Sequence, residues 1–540
     1  MAKKKKILAT FDIETDPFLH NRVPKPFCCG FKIEGYYKEW WSDKCVLDFY
    51  HWLKLEDDPY LIYAHNGGKF DFMYLFWLGV IDKIKLINGR IVKANIGIHE
   101  LRDSYAIIPV PLSAYEKDTI DYDWFEEDSR DLHRSDILYY LKKDCDYLYD
   151  LVFKFIERFG DNLTIGGTAI KQLRERHPFE NRNKNHDDAF RPYYFGGRVQ
   201  FFQSGIILGK FKVWDVNSMY PDAMASKRHP TGNQYISTTD LDYALNNSEM
   251  FFIHLKGKSK GAFPIRTKDG LEFPGSQSPC FSDTYDFYTT SHELKIAIKH
   301  NLIEIETIIE ILIPTETINF GMYVNHFMTD KIAAKESGDK AGELFAKLLL
   351  NSAYGKFGQN PDNFFDYVLR YPDEPLPDLD EWELYIDNGY LEVWRAPAPR
   401  PTYYDVATAA SITSAARAVL LDAICLADTP IYCDTDSIIC KDLKGVELHD
   451  SKLGAWALEA KCDKIAIAGK KLYAAWDNGE LVKKANKGVR LTGDEIEMIA
   501  LGIKIEYKNP APSFSVNSPP PAFNGKDEIK FITRTIANRT

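Results

Sequence analysis

The segment YCDTDSII, residues 432–439, places two aspartates two positions apart in an otherwise apolar, β-prone sequence. Like charges repel at a strand end, so this arrangement needs compensation. Because Asp and Thr are common in turns, the segment could form an exposed hairpin. Alternatively, Asp434 and Asp436 could bind a hard cation such as Mg²⁺, which prefers carboxylate oxygens. This segment alone favours the turn, whereas the rest of the chain favours the metal site.

Length and composition indicate a protein of several domains. The 540 residues are 45% hydrophobic and 14% aromatic, which suits core packing and also stacking on nucleic-acid bases. Nine cysteines without a CxxC pair argue against a disulfide framework or a structural zinc site, and indicate a reducing compartment. We expect no signal sequence or membrane span, and therefore a soluble, cytoplasmic protein without a membrane partner.

The formal net charge of −11 does not exclude a nucleic-acid partner. Affinity for phosphate depends on where Lys and Arg cluster rather than on the total charge. Clustered carboxylates that hold divalent cations also make the bare sequence more acidic than the working protein. Local motifs therefore carry more weight than the net charge.

Carboxylates recur along the N-terminal third of the chain. Residues 7–15, ILATFDIET, read as a strand that carries Asp12 and Glu14 on one face, because side chains two positions apart on a strand point the same way. A second strand, residues 61–64, leads into a glycine turn and an apolar helix with Asp71. A single DxE pattern usually only ends a strand, but its repeated association with further carboxylates indicates a site.

A helical pattern over residues 136–153 adds to this group. Its spacing puts Tyr140 and Asp144 on one face and turns Asp146 away. Hydrolysis of a phosphodiester needs an activated water and a stabilised leaving oxygen, which a pair of metal ions held by several carboxylates supplies. The N-terminal third therefore predicts a metal-dependent hydrolytic site, with Tyr140 placed to orient the water.

A second group joins Asp215 to the opening aspartates. Asp215 ends the apolar run of the strand-like segment KFKVWDVNSMYPDAM, far upstream of Asp434 and Asp436. If the fold brings these strands together, the carboxylates form another platform for paired metals, in this case for transferring a nucleotide.

A lysine-bearing helical pattern covers residues 323–358. We expect one helix, on which Lys335, Lys347 and Asn351 share a face toward a triphosphate, since their separations of twelve and sixteen residues are close to whole turns. A solvated basic face is the simpler explanation of most lysine runs. The neighbouring segments DVNSMYP and NSAYGKFG favour the nucleotide site.

Taken in order, these segments resemble the motifs of a known family. FDIET, HNGGKFD and YLKKDCD are similar to the three exonuclease motifs of family B DNA polymerases, and DVNSMYP, KLLLNSAYG, YCDTDS and KLY are similar to the polymerase motifs. The resemblance covers nearly the whole chain and is to the protein-primed (terminal-protein) branch of phages, viruses and linear plasmids. It implies a multidomain fold with α/β and α+β parts: a ribonuclease H-like 3′–5′ exonuclease domain and a right-hand polymerase of palm, fingers and thumb.

By this resemblance the exonuclease metals would bind four carboxylates: Asp12, Glu14, Asp71 and Asp144. Tyr140 would position water, and Lys117 in EKDTIDY would assist cleavage. The single-stranded 3′ end would contact three residues: Asn66, Phe70 and Ser104. The sequence departs from the family pattern at Tyr105, where leucine is expected.

The polymerase metals would bind Asp215 and Asp436, with Asp434 close by. Tyr220 would stack on the incoming sugar and exclude a 2′-hydroxyl. The rest of the nucleotide site would come from the helical region: Lys335, Lys347, Asn351 and Tyr354. The primer terminus, and its sharing between the two sites, would involve the KLY and YFGG segments: Lys471, Tyr473, Tyr194, Gly196 and Gly197.

The resemblance also divides the chain. The main parts would be an exonuclease domain at 1–165, a linker with a YxGG motif at 166–195, a palm at 196–226 and 401–450, fingers at 321–360, and a thumb with the C-terminal tail at 451–540. Two stretches without catalytic signal, 227–320 and 361–400, lie where this branch carries insertions that contact the priming protein and encircle the template.

The implied function is that of a DNA-directed DNA polymerase with a proofreading 3′–5′ exonuclease, using deoxynucleoside triphosphates and a pair of Mg²⁺ ions, replaceable by Mn²⁺, in each active site. Its partners would be template and primer DNA and a terminal protein that primes strand-displacing replication of a linear genome. The chain would act as a monomer or as a heterodimer with that protein. A primer-independent family B polymerase and a non-catalytic scaffold that binds single strands stay open as alternatives.

Overall fold

The computed structural model describes most of the chain. The described residues are 4–20, 22–180, 182–399, 404–510, 514–517 and 531–540. The predicted boundary between residues 400 and 401 and the proline-rich part of the predicted tail, residues 518–530, lie outside them. The described residues combine α/β and α+β regions, as the sequence predicts.

The N-terminal region is built on one mixed sheet. Its strands are β1 (Ile7–Thr15), β2 (Pro26–Ile33), β3 (Tyr36–Trp41), β4 (Tyr60–Ala64), β5 (Lys83–Ile87), β6 (Arg90–Ile96) and β7 (His99–Asp103). Its helices are α1 (Cys45–Leu53), α2 (Asp71–Trp77) and α3 (Arg134–Phe159). The strand order is β3-β2-β1-β4-β7-β6-β5, with β1, β4 and β7 parallel. Because strand residues alternate between faces, β1 buries Ala9, Phe11 and Ile13 and leaves Asp12 and Glu14 partly exposed.

The middle of the chain adds helices and a four-stranded sheet. Its first elements are α4 (Ile165–Arg176), α5 (Lys184–Phe190), β8 (Val199–Phe201), β9 (Gly205–Val216) and α6 (Met219–Ser226). Next come β10 (His229–Thr238), α7 (Leu241–Asn247), β11 (Phe252–Ser259), β12 (Ile265–Thr267), β13 (Gly270–Glu272), β14 (Thr284–Thr290), α8 (Ser291–Lys299) and β15 (Ile303–Ile318). An antiparallel sheet of order β10-β15-β11-β14 lies within the predicted insertion 227–320, and β12 and β13 form a hairpin at its side.

The remaining elements complete the C-terminal part. The first are α9 (Gly321–Ser337), α10 (Lys340–Phe357), β16 (Phe365–Arg370), β17 (Glu383–Asp387), β18 (Glu392–Pro397) and α11 (Val406–Leu426). The last are β19 (Ala427–Asp434), β20 (Ser437–Leu443), β21 (Trp456–Gly469), β22 (Leu472–Asp477), β23 (Glu480–Asn486), α12 (Gly493–Ala500), β24 (Ile505–Lys508) and β25 (Thr533–Ile536). Strands β16, β18 and β17 form a small sheet within the predicted insertion 361–400, and this sheet packs against β5.

A second seven-stranded sheet carries the other carboxylates. Its order is β23-β22-β21-β9-β20-β19-β8, and all neighbours are antiparallel. The predicted palm–thumb boundary between residues 450 and 451 cuts this sheet, since β21 pairs with β9 from Val216–Trp456 to Gly205–Ile467. The sheet therefore continues to Asn486, and the boundary lies too early. Pairing between strands distant in sequence leaves no local pattern that could have revealed this.

The predicted linker, residues 166–195, is mostly regular, packed structure. Helix α4 buries Ala169 and Leu173 on one face and packs along α10. Just before α5, Arg182 forms a buried ion pair with Asp405, with 3.1 Å between Nη2 and Oδ2. This segment is therefore part of the core between the domains rather than a loose connector.

The helical region 323–358 forms two helices instead of the predicted single helix. Helix α9 ends because Gly338 adopts a left-handed conformation, with φ of 74°, which favours glycine. Asp339 then begins α10, its side chain accepting a hydrogen bond from the first turn. Lys335 and Lys347 consequently lie on different helices, so the argument from whole turns of one helix is wrong.

Helix α11 is apolar and lies in the centre of the second sheet's core. The sequence predicts no stretch that could cross a membrane, yet α11, with 21 residues, is long and apolar enough to do so by length and composition alone. It is the one such helix among the described residues, and 72% of its apolar window is buried inside the protein. Its small side chains allow α6, α8 and β10 to approach closely.

A buried ion pair joins the four-stranded sheet region to α11. Arg417 on α11 donates from Nε and Nη2 to the two carboxylate oxygens of Glu293 on α8, at 2.8 and 2.7 Å. The side chains are 2% and 1% exposed. Ser414 Oγ also donates to Glu293, at 2.8 Å. The pair is therefore bidentate, desolvated and supported by a further hydrogen bond.

The substitution Glu293→Ala would leave the Arg417 charge buried without its partner. We expect it to lower the free energy of unfolding by about 3–5 kcal/mol in urea titrations followed by circular dichroism. Asp58→Ala serves as the control, because it removes an ion pair with Lys4 whose side chains are 67% and 57% exposed. The control should lose less than about 1 kcal/mol. Equal losses in both variants would contradict the assignment.

Two histidines, the buried His229 and the partly buried His292, lie where α8, β10 and α11 meet. His229 donates from Nε2 to the carbonyl oxygen of Ala223, at 2.8 Å, and its Nδ1 lies 2.9 Å from Ser411 Oγ. Burial lowers the pKa of His229 to about 4 and that of His292 to about 3. Both rings are therefore neutral in the folded protein at pH 7, whereas in the unfolded chain they take up protons below about pH 6.5.

This difference makes stability depend on pH. Because the unfolded chain binds more protons between pH 6.5 and 4, the free energy of unfolding should fall on going from pH 7 to pH 5, by about 2 kcal/mol for His229 alone. Urea titrations at the two pH values check this. His229→Gln, which retains hydrogen-bonding groups but cannot titrate, should show a smaller fall, whereas the exposed control His51→Gln should behave like the wild type. An unchanged fall in His229→Gln would contradict the prediction.

Candidate active sites

The N-terminal carboxylates converge on one side of the first sheet. Asp12 and Glu14 lie on β1 and Asp144 lies on α3, and one carboxylate oxygen from each falls within 4.8 Å of the others. Asp71, the first residue of α2, adjoins them, since its Oδ1 accepts a hydrogen bond from the N–H of Ile13 at 3.1 Å. The structure thus brings together all of the carboxylates predicted for the exonuclease site.

Burial and mutual repulsion make these acids hard to ionise without a counter-charge. Burial raises the pKa of Asp12 to about 7, and the charge of Asp144 adds to this. Burial, with the charge of Asp12 adding, also raises the pKa of Glu14 and Asp71 well above their usual range. Oδ1 of Asp144 is buried without a hydrogen-bond partner among the described residues. An all-oxygen, negatively charged donor set of this kind fits Mg²⁺ or Mn²⁺.

Lys117 and Tyr140 lie beside the carboxylates, as the sequence predicts. Lys117 Nζ is 3.2 Å from Asp144 Oδ2 and 5.5 Å from the centre of the Tyr140 ring. The hydroxyl of Tyr140 lies 3.3 Å from that of Tyr122. Tyr122, the last residue of the segment EKDTIDY, was not predicted as a site residue. Together these groups place a cation and a pair of hydroxyls at the rim of the site.

A cavity of about 550 Å³ opens over this site and is lined by Asn66 and Phe70. Arg90 fixes the Asn66 side chain by donating from Nη1 to its Oδ1 at 2.7 Å. Phe514, from the C-terminal tail, also lines the cavity and packs against Phe70, with 5.8 Å between ring centres. No sequence signal could have found Phe514, because only the fold brings the two rings together.

Ser104 does not reach this cavity. It is 0% exposed, and its Oγ donates to the carbonyl oxygen of Ala64 at 3.2 Å. Nδ1 of His65, which does line the cavity, lies 2.9 Å from the same Oγ. The predicted direct contact between Ser104 and the DNA strand is therefore wrong. The Ser104 hydroxyl is buried and hydrogen-bonds His65 and the backbone of Ala64 instead.

The second carboxylate group lies on the second sheet, where Asp215 on β9 is next to the turn between β19 and β20 that carries Asp436. Asp215 on β9 pairs with Ser437 on β20, and the N–H of Val216 donates to the carbonyl oxygen of Asp436 at 2.8 Å. Burial raises the pKa of Asp215 to about 7, with the charges of Asp436 and Glu459 adding to it. Burial also raises the pKa of Asp436. Glu459, on β21, is a carboxylate that sequence reasoning missed.

Asp434, by contrast, is neutralised by an ion pair with Lys471. The backbone N–H of Lys471 donates to the hydroxyl of Tyr432 at 2.7 Å. The ring of Tyr473, 2% exposed, packs against Tyr432 with 4.7 Å between ring centres. The KLY segment is therefore tied to the strand that carries the opening aspartates, with Lys471 at the surface and Tyr473 in the core.

Aromatic rings close one side of this second site. Tyr220 on α6 and Tyr354 on α10 stack face to face, with 4.1 Å between ring centres and 9° between planes. Gly197 lies against them: a Cβ there would be 3.1 Å from the Tyr220 hydroxyl and 2.9 Å from Thr435 Cγ2. Any other residue here would require the side chain of Thr435 to move. Tyr194, from the same YFGG segment, packs its ring against the glycine that follows α10.

The predicted triphosphate residues lie along the surface of the helical region. Lys347, Asn351 and Tyr354 are four and three residues apart on α10 and share one face. Lys347 and Asn351 are exposed, as is Lys335 on α9. Gly196 is also exposed. This face of α10 therefore leads from the exposed Lys347 to the stacked Tyr354.

A second cavity, of about 650 Å³, lies between the N-terminal domain and α10. Lys69 lines this cavity and also the one over the N-terminal carboxylates, and Tyr354 lines it at the side of the second carboxylate group. Arg90, Tyr105 and Phe364 contribute further lining. Cations and aromatic rings in one groove suit a single strand, whose phosphates and bases they contact.

Comparison with known proteins agrees with this geometry. Residues 114–393 match the family described as DNA polymerase type B, organellar and viral. A DNA-directed DNA polymerase of Enterobacteria phage PRD1 is 43% identical over 98% of this chain and 97% of that protein. A DNA polymerase of Bacillus phage phi29 is 26% identical over 62% of this chain and 58% of that protein.

Solved structures show the same fold. The phi29 DNA polymerase complexed with primer-template DNA matches 99% of this chain and 100% of its own, with a TM-score of 0.73 at 19% identity. Its ternary complex with DNA and incoming nucleotide gives a TM-score of 0.72 at 18% identity. The predicted family and multidomain fold are confirmed. The chain belongs to the organellar and viral type B DNA polymerases.

Proposed function

We propose that this DNA-directed DNA polymerase extends primers at the second carboxylate site and removes 3′-terminal nucleotides at the N-terminal site. The observation that carries the proposal is the presence of two separate carboxylate groups, one on β1 and α3 and one formed by Asp215 on β9 and Asp436 in the turn between β19 and β20. Template and primer DNA are the partners. We further propose that a terminal protein primes a linear genome, with the chain acting inside the host cell as a monomer or as a heterodimer with that protein.

At the polymerase site Asp215 and Asp436 would hold the divalent cations. When bound, these cations neutralise phosphate charge and activate the attacking oxygen. The stacked ring of Tyr220 limits the space for the sugar, and Lys347 offers a cation to the phosphates. Lys471 forms an ion pair with Asp434, although the charge of Asp434 still adds to burial in raising the pKa of Asp436.

At the exonuclease site Asp12, Glu14, Asp71 and Asp144 would hold the cations. Tyr140 orients water through its hydroxyl, which Tyr122 holds in place. Lys117 balances the charge of Asp144. The cavity lined by Asn66 and Phe70 receives the unpaired 3′ end: the ring stacks on a base and the amide contacts the backbone. Lys69, shared by both cavities, supports movement of a single strand between the sites.

Two alternatives make different predictions. A primer-independent polymerase would begin synthesis on single-stranded template with nucleotides alone. A non-catalytic scaffold would bind single strands without extending or shortening them. The complete carboxylate sets at both sites argue against the scaffold, because clustered buried acids lower stability unless they serve a ligand.

The two chemistries should separate by mutation. Asp436→Ala should lower primer extension by at least about 100-fold and leave degradation of a single-stranded oligonucleotide unchanged, because only the second site loses a ligand. Asp12→Ala should lower degradation of the single-stranded oligonucleotide by at least about 100-fold and leave primer extension unchanged. Gel assays of both activities on both variants check this, and each variant is the folding control for the other. Loss of both activities in either variant would contradict separate sites.

Protein priming predicts a covalent product. The enzyme, incubated with labelled deoxynucleotide, Mg²⁺ and the product of the neighbouring open reading frame as candidate primer, should yield a labelled protein band resistant to boiling in detergent. Asp436→Ala should yield none. Labelled DNA formed on single-stranded template without any primer would instead favour the primer-independent alternative.

A further inference from the structure

One buried arginine links the 227–320 insertion to the catalytic turn of the polymerase site. Arg198 follows the YFGG segment and is 2% exposed. Its Nη1 donates to the carbonyl oxygen of Gly261 at 2.8 Å, and its guanidinium lies 4.1 Å from the centre of the Phe273 ring. Its Nε and Nη2 donate to Gln200 Oε1 at 3.1 and 2.7 Å. The side chain is thus anchored in the insertion.

The charge of Arg198 is held by neutral groups. Among the described residues it forms no ion pair with a carboxylate, and burial lowers its pKa. A buried guanidinium without an acid is tolerated only while its hydrogen bonds are made. Gln200, which accepts the hydrogen bonds of Arg198, is itself bonded to the insertion, because its Nε2 donates to Ser276 Oγ at 2.6 Å. Separating the insertion from this strand would leave several buried donors unsatisfied.

The backbone of the same residue holds the catalytic turn. The carbonyl oxygen of Arg198 accepts a hydrogen bond from the N–H of Thr435 at 2.7 Å. Thr435 lies between Asp434 and Asp436 and has φ of 62°, a left-handed conformation that a non-glycine residue adopts only when its surroundings hold it there. Val199 pairs with Asp434 in the adjacent strand. The insertion, Arg198 and the turn therefore form one continuous hydrogen-bonded chain.

We propose that Arg198 is a positioning residue of the polymerase site, anchored by the insertion through Gly261 and Phe273 and holding the turn that carries Asp436. The inference rests on the proposed polymerase function of that turn. A displacement of reacting groups by about 1 Å can lower a rate about 100-fold, so a modest shift of this turn is enough to matter. The insertion would thereby control catalysis without contacting the nucleotide.

The test is a double-mutant cycle read out by steady-state primer extension. Arg198→Met should lower kcat by about 10-fold or more with little change in the KM for deoxynucleotide, since the turn moves while the nucleotide contacts remain. Phe273→Ala, which removes only the insertion's ring contact with Arg198, should also lower kcat, by about 3-fold. The double variant should lose less than the product of the two single losses, because both act through one anchor. Arg198→Lys, which keeps the charge but not the fork of donors, should be intermediate.

Controls separate this inference from a folding defect and from the proposed function. Exonuclease activity on single strands should stay at the wild-type level in every variant. Arg228→Met, the same substitution at an arginine outside the anchor, should leave kcat unchanged. The inference is overturned if Arg198→Met extends like an active wild type, or if the two losses multiply. If Arg198→Met does not fold, wild-type kcat in both Arg198→Lys and Phe273→Ala overturns it. An inactive wild type would instead overturn the proposed function.

Discussion

Repulsion between buried carboxylates is the constraint on which both sites depend. Each site raises the pKa of an aspartate to about 7, because acids are brought together in places that water cannot fully screen. Only a rigid frame maintains such an arrangement. At one site the frame is β1 against α3, and at the other it is the fixed register of β9 and β20. Divalent cations bound there would relieve the repulsion, so the fold itself would contribute to their affinity.

Local patterns predicted the elements that carry the chemistry. β1 has the predicted bounds, α3 contains the predicted helix, and the DTD segment lies at the turn between two strands, which was one of the two interpretations of the sequence. These signals are readable because alternation and helical spacing are properties of neighbouring residues. The convergence of Asp12 with Asp144, and of Asp215 with Asp436, was predicted because paired metals need several carboxylates in one place and because the segments resemble the motifs of one family.

The features that were missed depend on contacts distant in sequence or on short breaks. Lys335 and Lys347 separate because Gly338 ends one helix within a pattern that otherwise continues. The second sheet extends past residue 450 because β21 pairs with a strand more than two hundred residues earlier. Ser104 turns inward to His65, and Phe514 reaches Phe70 from the tail. None of these has a signature in a window of neighbouring residues.

Helix α11 also affects how the protein is handled. Its apolar surface is hidden only while the second sheet, α6 and α8 remain packed on it. Partial unfolding of that core on warming would expose the continuous apolar surface of α11 to other molecules. Aggregation should then outpace refolding, so heat inactivation of the purified enzyme should be irreversible and faster at higher protein concentration.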